Sequence, residues 1–410
     1  QNYLDVVDQV TADAGIVTVA PTATSPALTN LQAAGTLSFR TIPNDRFQAN
    51  ALLDRLKKLL DGESSPKVTV FYKDDQYGRD FQSQLVDLVL DASWIDKSNF
   101  AFLKTADPAK FTDEEKVNMN FASQVAEALN NRQPDADLVV FVGTGEMISL
   151  AALYAKTALG QGTAETNPLK KRYLFSHGAT FDMPELIGDL EGNRKFVPLV
   201  EGVSPQVANR EHYPDFNTRF NAQFDGDLTA SAAGVAYDAA NLAMLAMAGV
   251  PNDKPLTGEN IGKVLASDKL QDSDGQDIGF GETGFQGEAN RLLGDGKTVD
   301  LEGVSGNLDL NDNGEVRADY IGVDLGMKRD IGGDIVYDLL ATRLYRLNAA
   351  PATDGTWRSV PPGFQSPGVS KPSRPDAPIP DNDPAGVTDE VEVKSGNCGS
   401  VNVAHVELSI

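Results

Sequence analysis

Strands and helices that alternate along most of the chain predict an α/β protein built on parallel, helix-covered sheets. Three observations carry that expectation. Short β-branched or aromatic runs end in polar loops, amphipathic helical spacings lie between them, and 410 residues, 41% hydrophobic and 23% charged, suffice for two lobes rather than one.

The elements follow in order. "QNYLDVVDQVTADA" spaces Leu4, Val7 and Val10 as a helix, and "GIVTVAP" is a strand stopped by a proline. "DRFQANALLDRLKKLLDG" puts Ala49, Leu52, Leu53, Leu56, Leu59 and Leu60 on one helical stripe closed by Gly62. "PKVTVFYKDD" (strand), "YGRDFQSQLVDLVLDA" (helix), "NFAFLKT" (strand), "NFASQVAEALNNRQ" (helix), "ADLVVFVGTG" (strand) and "EMISLAALYAKTALG" (helix) continue the alternation. "KRYLFSHGA" and "KFVPLVEGVSP" read as further strands. "ASAAGVAYDAANLAMLAMAG" is an apolar helix interrupted by Gly234 and Asp238, expected in a core and not in a membrane. "GVSGNLDLNDNGEVRADYIGVDLG" reads as two β-like runs around a turn, and "DIVYDLLATRLYRL" fits strand or helix. Proline-rich residues 351–390 read as an extended linker, and 391–410 as a β-prone tail.

Composition excludes several functions. With 35 Lys plus Arg against 59 Asp plus Glu, a formal net charge of -24 repels phosphate backbones and anionic membranes, so no nucleic acid and no membrane surface is expected as partner. The single cysteine, Cys398 in "SGNCGSV", allows no internal disulfide and no thiolate cluster. His177, His212 and His405 share no metal-ligand spacing. No apolar run reaches about eighteen residues, and the opening residues lack the charged-then-apolar pattern of a leader; the chain is expected to be soluble, or its targeting segment to have been removed.

In an open α/β sheet, ligands bind where strands end in loops. "APTATSPALT" is such a loop: Thr22, Thr24 and Ser25 offer hydroxyls and free amides. The stretches "APTATSPALT…FRTIPND", "VTVFYKDDQYGRDF", "GVAYDAANLAMLA" and "GVSGNLDLNDNGEV" together resemble, in order and spacing, the type I periplasmic binding protein family, nearest its branched-chain amino acid receptor branch of ABC-transporter substrate-binding proteins. The resemblance covers about residues 4–330. It implies two doubly wound parallel-sheet lobes joined by hinge crossovers: residues 1–44 plus 206–302, and 45–205 plus 303–350. It also implicates the Thr22 backbone and the Thr24 hydroxyl in holding a ligand, with Tyr77 reaching it from the second lobe. Thr144 and Gly145 in "FVGTGE" fall where that lobe's next cleft loop belongs; a plain tight turn is the other reading.

Two departures from the family pattern stand out. Where amino-acid binders carry a carboxylate after the strand matching "YLFSHGA", this chain has His177, which either donates to an anionic or amide ligand or caps the strand; Asp182 is the nearest substitute carboxylate. The family also has a β-α-β-α-β start ahead of the helix matching "NYLDVVDQVTADA". The first lobe is therefore expected to be incomplete at its N-terminus and finished by a further segment, a cleaved chain or a neighbouring chain.

"DLNDNGEVRADY" fits the first half of a calcium loop at Asp309, Asn311, Asn313 and Gly314, but Tyr320 stands where a bidentate Glu is needed, so a hairpin turn is expected and no metal. Ser176 and His177 are adjacent and point to opposite strand faces, so no enzyme and no cofactor is expected. The expected function is an extracytoplasmic (periplasmic or cell-surface) solute-binding protein. It clamps a small polar ligand, an amino acid or related amide or carboxylate, for an ABC-type membrane permease. The alternative is a ligand-free assembly protein, or a sensor ectodomain, reusing the same fold.

Overall fold

A computed structural model describes residues 2–33, 37–111, 113–209, 211–224, 230–329, 335–348, 352 and 354–360. Cys398, His405, the 391–410 tail and most of the 351–390 stretch lie outside the described residues.

The strands are β1 (Thr18–Ala20), β2 (Ser38–Arg40), β3 (Val68–Lys73), β4 (Phe100–Thr105), β5 (Leu138–Val142), β6 (Arg172–Phe175), β7 (Val200–Pro205), β8 (Gln276–Gly279), β9 (Val299–Glu302), β10 (Tyr320–Arg329), β11 (Ile335–Leu347) and β12 (Gly355–Ser359). Eight of them form one sheet in the order β12-β11-β10-β7-β6-β5-β3-β4. From β4 to β7 the neighbours are parallel; β10, β11 and β12 add antiparallel pairs at the other end.

The parallel strands are largely apolar because helices cover both faces. β5 shows how: Val139 and Phe141 enter one core with Phe71, Tyr154 and Phe175, while Leu138, Val140 and Val142 enter the opposite core with Leu52, Leu56 and Phe81. Side chains alternate across a strand, so "LVVFV" feeds both cores at once. The second core is sealed by helices Asp45–Leu59 and Gln76–Asp91, capped by the Asn44 and Asp75 side chains.

A smaller group gathers around β1–β2 and β8–β9, each a two-stranded parallel pair, with helices Ala230–Ala248 and Phe285–Gly294. Phe39, Leu242, Leu245, Phe280, Phe285 and Val304 share its core.

The ambiguous "DIVYDLLATRLYRL" is strand β11, held by antiparallel pairing to β10 along its length. Inside the stretch read as linker, Gly355–Ser359 form β12 against Arg343–Leu347, and the Trp357 indole donates to the Ala51 carbonyl at 3.1 Å. Of the two β-like runs around the 303–326 turn, only the second is a strand. "KFVPLVEGVSP" begins as a 3-10 turn, Arg194–Leu199, before β7.

Candidate functional site

The loops that follow β1, β3, β5 and β6 meet at one cleft of about 230 Å³, lined by Leu4, Thr22, Ala23, Thr24, Ser25, Leu28, Asp75, Gln76, Tyr77, Thr144 and His177. Six residues singled out in the sequence, Thr22, Thr24, Ser25, Tyr77, Thr144 and His177, are thus brought together. All sit just past the carboxyl ends of parallel strands, where a doubly wound sheet leaves a crevice. A larger hollow of about 350 Å³, bordered by Asn241, Met244, Gln286 and Asn290, lies on the helices of the smaller group and holds none of these residues.

One wall is the 21–25 loop. The Thr24 hydroxyl donates to Asp45 Oδ2 at 3.0 Å, and the Thr24 carbonyl accepts from the Asp45 amide at 2.8 Å. The Ser25 hydroxyl donates to Asp80 on helix Gln76–Asp91, so this wall touches the facing one directly. Thr22 is exposed. Behind the loop lies Arg40, 2% exposed, whose guanidinium donates to the carbonyls of Ala23 (3.2 Å) and Ser25 (2.8 Å) and to the Thr29 hydroxyl (2.7 Å). Its charge is matched by Glu315, which also accepts from Asn44 Nδ2 at 2.8 Å. Asp45, 1% exposed, has its carboxyl pushed up to about 8: burial favours the neutral acid over the opposing hydrogen bond from Thr24 and the charge of Arg40.

The facing wall is built on close backbone approaches. A Cβ at Gly78 would lie 2.1 Å from the Lys73 carbonyl oxygen, and one at Gly178 would lie 2.4 Å from the Gly143 carbonyl oxygen, so glycine at both places lets the loops close up. Asp75 Oδ1 accepts from the Gly78 amide at 2.7 Å and starts the helix that carries Tyr77. The Tyr77 hydroxyl lies 3.2 Å from His177 Nδ1, and the two rings meet edge to face at 5.0 Å. Burial lowers the His177 pKa to about 4, so the imidazole is neutral. Lys73 joins the loops, donating to the Thr144 hydroxyl at 3.1 Å and lying within 3.6 Å of Asp75, Asp107 and Glu146. Burial disfavours its charge, but those three carboxylates outweigh burial and raise its pKa.

Gly145 is not among the cleft-lining residues; a Cβ there would lie 2.9 Å from Asp182 Oδ2, so the glycine makes room for that carboxylate. Asp182 is outside the lining as well. Asp309, Asn311 and Asn313 form a turn: Asn311 Oδ1 accepts from the amides of Asn313 (2.9 Å) and Glu315 (3.2 Å), and Gly314 adopts φ +68°. The Asn311 side-chain oxygen is spent on backbone, and the turn docks on β2 through the Arg40 amide and the Gly314 carbonyl at 2.9 Å. Among the described residues no group of His, Cys, Asp or Glu side chains is placed to hold a metal ion, and no helix is long and apolar enough to cross a membrane.

Sequence reasoning missed Arg40 and Gln48. Gln48, 1% exposed, holds His177 Nδ1 at 2.9 Å. The one local signal for Arg40 was a charge inside the apolar run "SFRTI", which a strand buries only with a partner.

The comparisons agree with this architecture. The pattern described as receptor family ligand binding region matches residues 1–327. A leucine binding protein from Thermotoga maritima MSB8 is similar in fold, at 16% identity and a TM-score of 0.51, over 82% of this chain and 76% of that one. So is a possible leucine/isoleucine/valine-binding protein from Rhodopirellula baltica SH 1, at 12% identity and a TM-score of 0.53, over 83% and 74%. No curated protein sequence matches the chain. With four fifths of its length under one family pattern, and with a mostly parallel sheet whose strand ends meet at a cleft, the chain belongs to the receptor family ligand-binding region, the type I periplasmic binding protein fold, a family of binding proteins and not of enzymes.

Proposed function

We propose that the chain is a solute-binding protein that takes a small polar ligand, of the amino acid class, into the cleft between the 21–25 loop and the Tyr77–His177 wall. The residue units 1–44 plus 206–302 and 45–205 plus 303–350 would close on it and present it to an ABC-type membrane permease outside the cytoplasm. The observation that carries this reading is the convergence of Thr22, Thr24, Tyr77, Thr144 and His177 on one cleft at strand ends. The printed ligands of the two structural neighbours, leucine and branched-chain amino acids, suggest the class. A ligand touching both walls favours the closed form by its extra contacts.

Titration calorimetry of the full chain with a panel of L-amino acids tests the reading. Binding of at least one member is expected, weakened roughly tenfold or more by Tyr77→Ala, which removes a half-buried aromatic from the wall. No heat from any member, or unchanged affinity in Tyr77→Ala, would remove the assignment. A second reading, an assembly in which a further segment or neighbouring copy adds strands, is favoured by β1, which pairs only with β2 among the described residues.

A further inference from the structure

We infer that Gln48 fixes the proton of His177 on Nδ1, so that the nitrogen left for the cleft, Nε2, accepts a hydrogen bond and selects ligands with an N–H or O–H donor at that point. The inference rests on the reading above that the cleft is the ligand site, and it adds the chemistry required of one part of the ligand.

The argument runs through three polar contacts. Gln48 Nε2 donates to the Val203 carbonyl at 2.8 Å. A carbonyl only accepts, so the amide end facing Val203 is the NH2 and the other end is the oxygen. That oxygen lies 2.9 Å from His177 Nδ1. Two acceptors do not face each other at hydrogen-bond distance, so Nδ1 carries the hydrogen. The Tyr77 hydroxyl, 3.2 Å from the same nitrogen, is the more distant of its two neighbours. A neutral imidazole has one N–H, which leaves Nε2 with a lone pair.

Nε2 makes no hydrogen bond among the described residues and is not fully buried, and His177 lines the cleft. No lysine or arginine lines that cleft; Asp75 does, with its carboxylate ion-paired to Lys73 at 3.4 Å. A lone pair in a lining without cations suits an ammonium, amide or hydroxyl hydrogen. It repels a keto or carboxylate oxygen. Gln48 touches no ligand in this scheme; it is a positioning residue that acts through the ring.

Nitrogen NMR of the full chain with ¹⁵N-labelled histidine reads the ring directly at neutral pH, the His177 signals being those lost in His177→Asn. The expected spectrum has a pyrrole-like Nδ1 and a pyridine-like Nε2; a pyrrole-like Nε2 overturns the inference. Gln48→Met, which keeps side-chain volume and removes the acceptor, is expected to move the hydrogen to Nε2, and a folded variant with the wild-type pattern would deny Gln48 its role. The wild-type reading does not depend on Gln48→Met, so the tautomer is decided even where that variant does not fold.

Calorimetry then compares L-leucine with 4-methyl-2-oxopentanoate, which share skeleton and carboxylate but present a donor or an acceptor at carbon 2. Wild type is expected to prefer L-leucine roughly tenfold or more, the scale of one buried hydrogen bond replaced by a lone-pair clash. Equal binding overturns the inference. A pyridine-like Nε2 in a chain that binds no amino acid would fail the functional reading alone; a pyrrole-like Nε2 in a chain that binds one would fail this inference alone.

Discussion

The eight-stranded sheet and the smaller group around β1, β2, β8 and β9 satisfy their backbones by different means. In the large sheet, strand ladders up to ten residue pairs long occupy the amides and carbonyls, and the side chains are left to pack. In the smaller group the ladders are three or four pairs long, and buried charged side chains take over. Arg40 satisfies the carbonyls of Ala23 and Ser25, and Asp238 accepts from the amides of Val304 (3.0 Å) and Ser305 (2.7 Å). The large unit has a counterpart in Lys171, which donates to the carbonyls of Pro134, Ala136 and Glu165, in the connections that lead into β5 and β6 at the end of the sheet away from the cleft. Short strands leave a loop free to be shaped by side chains, and here that loop is one wall of the cleft.

The largest effect should come from breaking a buried ion pair on each side. Arg40→Leu strands Glu315 without its cation and frees two carbonyls, and is expected to lower unfolding stability by about 3–5 kcal/mol in urea titrations. Arg55→Leu in the large sheet should cost less, because Glu201 keeps Arg343 at 3.4 Å. Equal losses would break the contrast between the two regions. Glu315→Gln added to Arg40→Leu should recover part of the loss, since the uncompensated charge is gone.

Gly78→Ala probes the facing wall. Its Cβ would meet backbone, not a flexible side chain, so the first turn of helix Gln76–Asp91 must shift. A loss of about 1–3 kcal/mol is expected, within the range for backbone and capping defects, along with separation of Tyr77 from His177. Near-ultraviolet circular dichroism and tyrosine fluorescence would follow that separation; a wild-type spectrum would mean the wall yields without moving Tyr77.

The smallest effect is a slope. Asp45 holds its proton up to about 8 in the fold against an ordinary value of 3.8, and Asp238 behaves alike up to about 7. A raised carboxyl contributes stability that is complete below 3.8 and is lost as pH rises through the folded value. His177, lowered from 6.5 to about 4, has the opposite sign: its contribution is complete above 6.5 and is lost as pH falls through 4. Melting temperature should therefore decline from pH 5 toward pH 8.5, and Asp45→Asn, which keeps an acceptor for Thr24, should flatten the decline by at most about 1.4 kcal/mol per pH unit. An unchanged slope would show that Asp45 is ionised in the fold.

The sequence was most informative where physics is local. "VTVFYK" and "LVVFV" are strands because β-branched and aromatic residues with no polar face fit only a sheet covered on both sides, and Asp75 announces a helix by capping it three residues ahead of Gly78. β11 was ambiguous because "LLATRL" carries helix formers, and pairing with β10, a tertiary event, overrides their preference. β12 was hidden for the same reason: five residues bounded by proline-rich sequence become a strand only because β11 offers an edge. The cleft hydroxyls and Tyr77 were legible as a loop pattern. Arg40 and Gln48 were not, because their partners Glu315 and His177 lie 275 and 129 positions away.

Lys73 has a consequence beyond its charges. By tying Thr144, Asp75, Asp107 and Glu146 together it fixes the loops after β3, β4 and β5 before any ligand arrives. The entropy of arranging that wall is lost during folding, and the 21–25 loop is likewise pinned by Arg40 and Asp45, so in the function proposed above little ordering cost is left for capture. Differences in affinity among related ligands should then appear as differences in residence time, with association rates nearly constant from one ligand to the next.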